Sequence, residues 1–98
     1  MNTFSIYVVY TAKEGLRKAF LEAIHKEDIP AKVRAEDGCI RYDYFLPLDA
    51  ENDILLIEEW EREEKQQIHV AQPHMARLRE LKDPYIASTR LGKFEFLD

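Results

Sequence analysis

The chain is predicted to be α+β, with a ferredoxin-like β-α-β-β-α-β order: an antiparallel sheet with helices on one face. Three observations predict it. Runs rich in β-branched and aromatic residues lie near both ends. Two more such runs sit in the middle, separated by a polar loop. Stretches with helical spacing of apolar residues fill the two gaps between them.

Phe4 to Tyr10 reads as the first strand. Thr11 and Glu14 form a capping-box pattern that opens a helix, and Leu16, Ala19, Phe20, Ala23 and Ile24 make its apolar stripe. Pro30 lacks an N–H and breaks or bends this helix near Asp28 to Pro30, with a continuation to about Ala35. Glu36-Asp37-Gly38 is a stop and turn. Cys39 to Leu46 reads as the second strand and Asp53 to Trp60 as the third. Arg62 to Val70 is a short charged helix. Pro73 suits the first turn of another, striped by Met75, Leu78 and Leu81 and ended by Pro84. Ile86 to Phe96 is the fourth strand, with Gly92 expected to mark a bulge.

Ninety-eight residues make one domain, 1–98. A chain of this size buries only about 60–70% of its unfolded surface, so a lone monomer is marginal. The strands sharpen this point. Phe4, Ile6 and Val8 alternate with Tyr7 and Val9, and Ile54 and Leu56 alternate with Leu55 and Ile57, so both sheet faces are apolar. Helices cover one face only. A second copy is the expected cover for the other, in a symmetric homodimer.

The net charge is −5, and acids and bases are interspersed without a basic cluster, so nucleic acid is not expected as a partner. No run of about 18 apolar residues is present, so no membrane span is expected. One cysteine and no leader pattern at the N-terminus favour a reducing, cytoplasmic setting. With three glycines and no phosphate-binding loop, no nucleotide cofactor is expected.

Chemistry concentrates between residues 58 and 74. Glu58 and Trp60 share one face of the third strand, and His69 follows on the next helix. An imidazole suits a general base near neutral pH. A carboxylate among apolar neighbours needs a partner: either His69, which it would orient, or an arginine or backbone cap. Trp60 is either a ring platform for a flat substrate or ordinary core. Tyr42 and Tyr44 share a face of the second strand and are either hydrogen-bond donors to an anion or core. His74 either lines the cavity or faces water. His69 and His74 lack the i, i+4 spacing of a helical metal pair, so no metal is expected. His25 is expected at the surface and Cys39 in packing rather than as a nucleophile.

The chain resembles the antibiotic biosynthesis monooxygenase domain family, including its quinol monooxygenase-like members. Glu36-Asp37-Gly38-Cys39-Ile40-Arg41-Tyr42 matches the family's E-P-G-C-x-x-Y/F turn and strand. Glu58-Glu59-Trp60 matches its E-x-W/Y strand end, and His69 with Pro73-His74 its H-x3-P-H block. The resemblance implies a dimeric α+β barrel with a cavity between sheet and helices. The spacing is most like the quinol-oxidising and isomerase branches. Leu56 stands where polyketide-oxidising members carry Asn, and the first strand lacks the Asn of haem-degrading members.

The expected function is therefore a cofactor-independent monooxygenase of a small phenol or quinol. His69 is the base, Glu58 its orienter and Trp60 the ring platform, with Tyr42, Tyr44, His74, Leu56 and Phe20 as candidate substrate contacts. Two alternatives stand beside it: an acid–base isomerase of a small, phosphorylated hydroxy-ketone such as a quorum-sensing sugar derivative, and a non-catalytic dimer that binds a small aromatic molecule.

Overall fold

Strict alternation along the third strand sets the two faces of the sheet. In β3 (Asp53–Trp60), Ile54, Leu56, Glu58 and Trp60 are buried and the residues between them half-buried. The computed structural model describes residues 2–97. Its elements run β1 (Phe4–Ala12), α1 (Arg17–Lys26), α2 (Ile29–Arg34), β2 (Cys39–Phe45), β3, α3 (Glu63–Val70), α4 (Pro73–Lys82) and β4 (Ile86–Phe94). The four strands pair antiparallel in the order β2-β3-β1-β4. This is the ferredoxin-like α+β arrangement that the sequence predicts, with each predicted helical stretch realised as two short helices.

Register decides which side chains meet the helices. Ile6 pairs with Glu58 and Val8 with Leu56, while Tyr42 pairs with Glu58 and Tyr44 with Leu56. Directly opposed residues share a face, so all of these point to the helical side. There they join Phe20 and Ile24 of α1, Ile29 and Val33 of α2 and Leu78 of α4 in one core. The other face carries Tyr7, Val9, Leu55 and Ile57, with Phe45 and Phe94 at its margins. Tyr7 is 37% exposed and Phe45 49% exposed there.

The helix break falls where Pro30 predicts it. α1 ends at Lys26, Asp28 takes a left-handed conformation (φ 56°), and Pro30 occupies the first turn of α2, where no N–H is required. Proline thus starts the second helix rather than bending one continuous helix.

Two expectations are corrected. Thr11 does not cap α1. Its hydroxyl donates to Asp53 Oδ1 (2.7 Å) across the sheet, β1 runs on to Ala12, and α1 begins after Leu16, which caps without a side-chain bond. A cross-strand partner outcompetes the local one. Gly92 is not a bulge either. It pairs in register with Tyr7, and the irregularity in that ladder lies at Thr11/Ala12. Its lack of a side chain serves packing: a Cβ there would come within 2.6 Å of the Tyr7 hydroxyl.

Candidate active site

Three short segments converge on His69. β3 brings Glu58 and Trp60, the turn after α2 brings Glu36, and the first turn of α4 brings His74. The turn is fixed by Gly38 (φ 87°) and by the Cys39 N–H donating to the Glu36 carbonyl (3.2 Å). Only Ala71 and Gln72 separate α3 from α4, and the Gln72 N–H donates to the His69 carbonyl (3.0 Å). That tight junction turns His69, in the last turn of one helix, and His74, in the first turn of the next, toward the same carboxylate.

His69 is 1% exposed. Its ring lies 4.7 Å from the Trp60 ring at 36°, with the Tyr42 ring edge-on at 5.9 Å. His69 Nδ1 is 2.8 Å from Glu36 Oε2, and His74 Nε2 is 2.7 Å from the same oxygen. With the carboxylate oxygen as acceptor, Nδ1 of His69 is assigned as the N–H, and Nε2 of the neutral ring keeps its lone pair. That lone pair is on the side of Glu58, whose Oε1 lies 3.9 Å away, beyond hydrogen-bond range. The Glu58 oxygen instead accepts from Trp60 Nε1 (3.0 Å).

The expected pairing is thus redistributed. Glu36, not Glu58, holds the His69 ring. Glu58 is the second polar group, facing the free nitrogen. Nothing local marks Glu36, which reads as the end of a helix 33 residues before His69. Its one signal in the sequence is that it opens the Glu36-to-Tyr42 block.

Burial pushes the Glu58 carboxyl up to about 7, the Trp60 hydrogen bond opposing and the Glu36 charge assisting. Burial also pulls the His69 imidazole below its ordinary value, against the raising effect of Glu36. The Tyr42 phenol is held well above its usual range by burial and by neighbouring Tyr44. Burial carries Tyr44 up to about 12. The pocket thus favours an uncharged imidazole and uncharged phenols.

The remaining candidates separate. Tyr42 and Tyr44 touch through their hydroxyls (3.4 Å), and both face the helices. Leu56 is buried beneath them, in the same row of β3 as Glu58. Phe20 packs on Tyr10 (5.6 Å) and Tyr85 (6.3 Å). His74 reaches the cluster through Glu36. Phe20 and Trp60 are 0% exposed, so no space the size of a water molecule adjoins either ring. The cavity expected between sheet and helices is closed in this conformation at those two walls. A surface recess of about 490 Å³ is lined by Leu21, His25, Arg34, Asp43, Tyr44, Phe45 and Leu46, and of the candidate site residues Tyr44 borders it.

The spacing argument against a His69–His74 metal pair does not hold. It applies within one helix, and these residues lie on successive helices whose junction folds them together. Glu36, His69 and His74 offer three ligand atoms within 4.8 Å of one another.

Burial, with the Glu36 and Glu58 charges assisting, pushes the Cys39 thiol up to about 11. Its thiolate fraction at pH 7 is then roughly 10²-fold below that of an unfolded chain. Iodoacetamide is expected to alkylate native Cys39 that much more slowly than urea-unfolded protein, as read by mass spectrometry. Equal rates would mark Cys39 as an activated thiol.

Residues 3–81 match the family model for antibiotic biosynthesis monooxygenase. The chain belongs to that family. Solved structures agree on the fold. A protein of Pseudomonas aeruginosa superposes with a TM-score of 0.87 at 19% identity, covering 100% of this chain and 97% of that one. A candidate antibiotic biosynthesis monooxygenase of Nitrosomonas europaea gives 0.85 at 19% identity, covering 99% and 93%. A Bacteroides thetaiotaomicron protein of unknown function, described as a possible oxidoreductase, gives 0.82 at 26% identity, covering 97% and 98%. No curated protein sequence matches this chain. The family match supports a monooxygenase-like protein, and the solved structures support its fold.

Proposed function

We propose that this chain is a cofactor-independent monooxygenase of a small phenolic or quinol substrate, with His69 as the general base. The observation that carries the proposal is the Glu36–His69 bond. It fixes the tautomer and leaves Nε2 as a lone pair beside an indole and a second carboxyl group. A phenol held there loses its proton to Nε2, and the electron-rich ring reduces dioxygen directly. A C–O bond forms at a ring carbon. The O–O bond of the resulting peroxide then breaks. One oxygen stays on the carbon as a carbonyl and the other leaves as water, taking up the hydrogen of that carbon and the proton held by the protein. Trp60 supplies a flat wall for the ring. Neutral Tyr42 and Tyr44 serve as hydrogen-bond donors to the developing anion in this reading. Trp60 and His69 are fully buried, so admitting a ring requires the packing around them to open.

The test is oxygen uptake with a panel of hydroquinones, set against hydroquinone ethers that lack the acidic proton. Uptake with the first set only is the expected result. Saturable binding without uptake, or isomerisation of a hydroxy-ketone without uptake, overturns the proposal.

The open sheet face supports a homodimer as the working form. Tyr7, Val9, Leu55 and Ile57 form an apolar strip at its centre, the kind of surface that single chains seldom leave in water. Ile57→Asp places a charge in that strip and is expected to shift sedimentation from dimer to monomer at micromolar concentration. A folded monomer for the unmodified chain under the same conditions would sink this part of the reading.

A further inference from the structure

The geometry points to a second capability of the Glu36–His69–His74 cluster: binding one divalent transition-metal ion through Glu36 Oε2, His69 Nδ1 and His74 Nε2. This inference rests on ligand placement and not on the oxygenase reading. The three atoms come from the turn after α2, from α3 and from α4, and lie within 4.8 Å of one another. Both nitrogens already converge on one oxygen, at 2.8 and 2.7 Å. Ligands about 2.0–2.2 Å from a shared ion stand about 3–3.6 Å apart, so those two contacts need to widen by about 0.2–0.9 Å, while the two nitrogens, which lie within 4.8 Å of each other, need to close to about the same spacing. Two imidazoles and one carboxylate suit zinc, iron(II), cobalt or nickel. Calcium and magnesium prefer oxygen.

Two further features fit. A surface recess of about 250 Å³ is lined by Glu36 together with Asp37, Lys65, Ile68 and Gln72. It gives an ion a route in and room for water at the remaining positions. On the other side, His69 Nε2 faces Glu58 Oε1 at 3.9 Å. Metal-bound histidines commonly donate their second N–H to a carboxylate, which fixes the ring. When an ion takes Nδ1, the ring proton moves to Nε2, and Glu58 is in place to receive that bond after a small closure. No proton is gained or lost by the neutral ring. The consequence is exclusive: with the ion bound, Nε2 no longer offers a lone pair.

The experiment uses purified, chelator-stripped full chain titrated with cobalt(II) and zinc. Calorimetry is expected to give one site per chain, and the cobalt form a visible ligand-field spectrum. Nitrogen-15 spectra should show His69 passing from the Nδ1–H to the Nε2–H tautomer. His74→Ala and Glu36→Ala should each weaken Kd by more than about 10-fold, since loss even of an outer partner costs that much. His74→Gln serves if either variant fails to fold. His25→Ala, on the exposed face of α1, should leave Kd unchanged. No binding by the parent chain, or binding insensitive to both Glu36 and His74, overturns the inference. It leaves the oxygenase reading intact, because that reading uses no ion and its test is oxygen uptake.

Discussion

Trp60→Ala is expected to lower stability by about 3–5 kcal/mol, the range for truncating a large buried aromatic. Trp60 is 0% exposed and is the largest of the fully buried side chains. Its ring covers His69, and its indole N–H is the donor to Glu58 among the described residues. Truncation therefore leaves a cavity and a buried carboxyl without its bond, and the second effect adds to the first. Small domains are stable by only about 5–15 kcal/mol, so such a loss is a large share of the whole. At about 4–8 °C per kcal/mol for a domain of this size, the melting temperature should fall by roughly 12–40 °C. Trp60→Phe keeps a ring in place and should lose less. Thermal and urea unfolding followed by circular dichroism measure both. A loss under about 1 kcal/mol for Trp60→Ala would show that the ring does not hold this end of the core, and would favour a substrate platform that tolerates vacancy.

The same residue shows what was legible in advance. Alternation from Ile54 to Trp60 places Glu58 and Trp60 on one face, and the structure sets both under the helices. The bounds of β3, the break before Pro30 and the turn at Gly38 follow from period, imino-acid chemistry and a positive φ, all properties of a few neighbouring residues. What escaped depends on distant residues. Thr11 has a good local capping partner in Glu14, yet its hydroxyl goes to Asp53, 42 residues away. Gly92 has no local reason to be anything but a bulge, and its true constraint is the Tyr7 ring on the neighbouring strand. Glu36 is the most consequential case. The sequence points to Glu58 as the partner of His69, and only the packing of α3 and α4 against the Gly38 turn brings Glu36 to the ring instead. His69 and His74 follow the same logic: five residues apart means little until a two-residue junction folds one helix end onto the next helix start.

Removing His69 is expected to slow turnover by roughly 10²–10⁴-fold, the usual contribution of a positioned base. The prediction needs two substitutions. His69→Ala empties space beside Trp60 and costs stability as well as chemistry, because the ring it removes is 1% exposed. His69→Gln fills more of that space but has no basic nitrogen, so a loss of rate in a folded Gln variant isolates the chemical role. Glu36→Ala supplies the complementary reading. It leaves the His69 nitrogen in place but frees the ring and its tautomer, so kcat should fall with little change in KM, and by less than in the His69 variants. A base that was merely nearby would not respond to Glu36 at all. The measurement is oxygen uptake with the best hydroquinone of the panel, alongside the melting temperature of each variant. A folded His69→Gln protein that turns over within about threefold of the parent would remove His69 from the chemistry. Glu58 would then be the remaining candidate base, since burial already holds its carboxyl near 7 and its oxygen faces the same space.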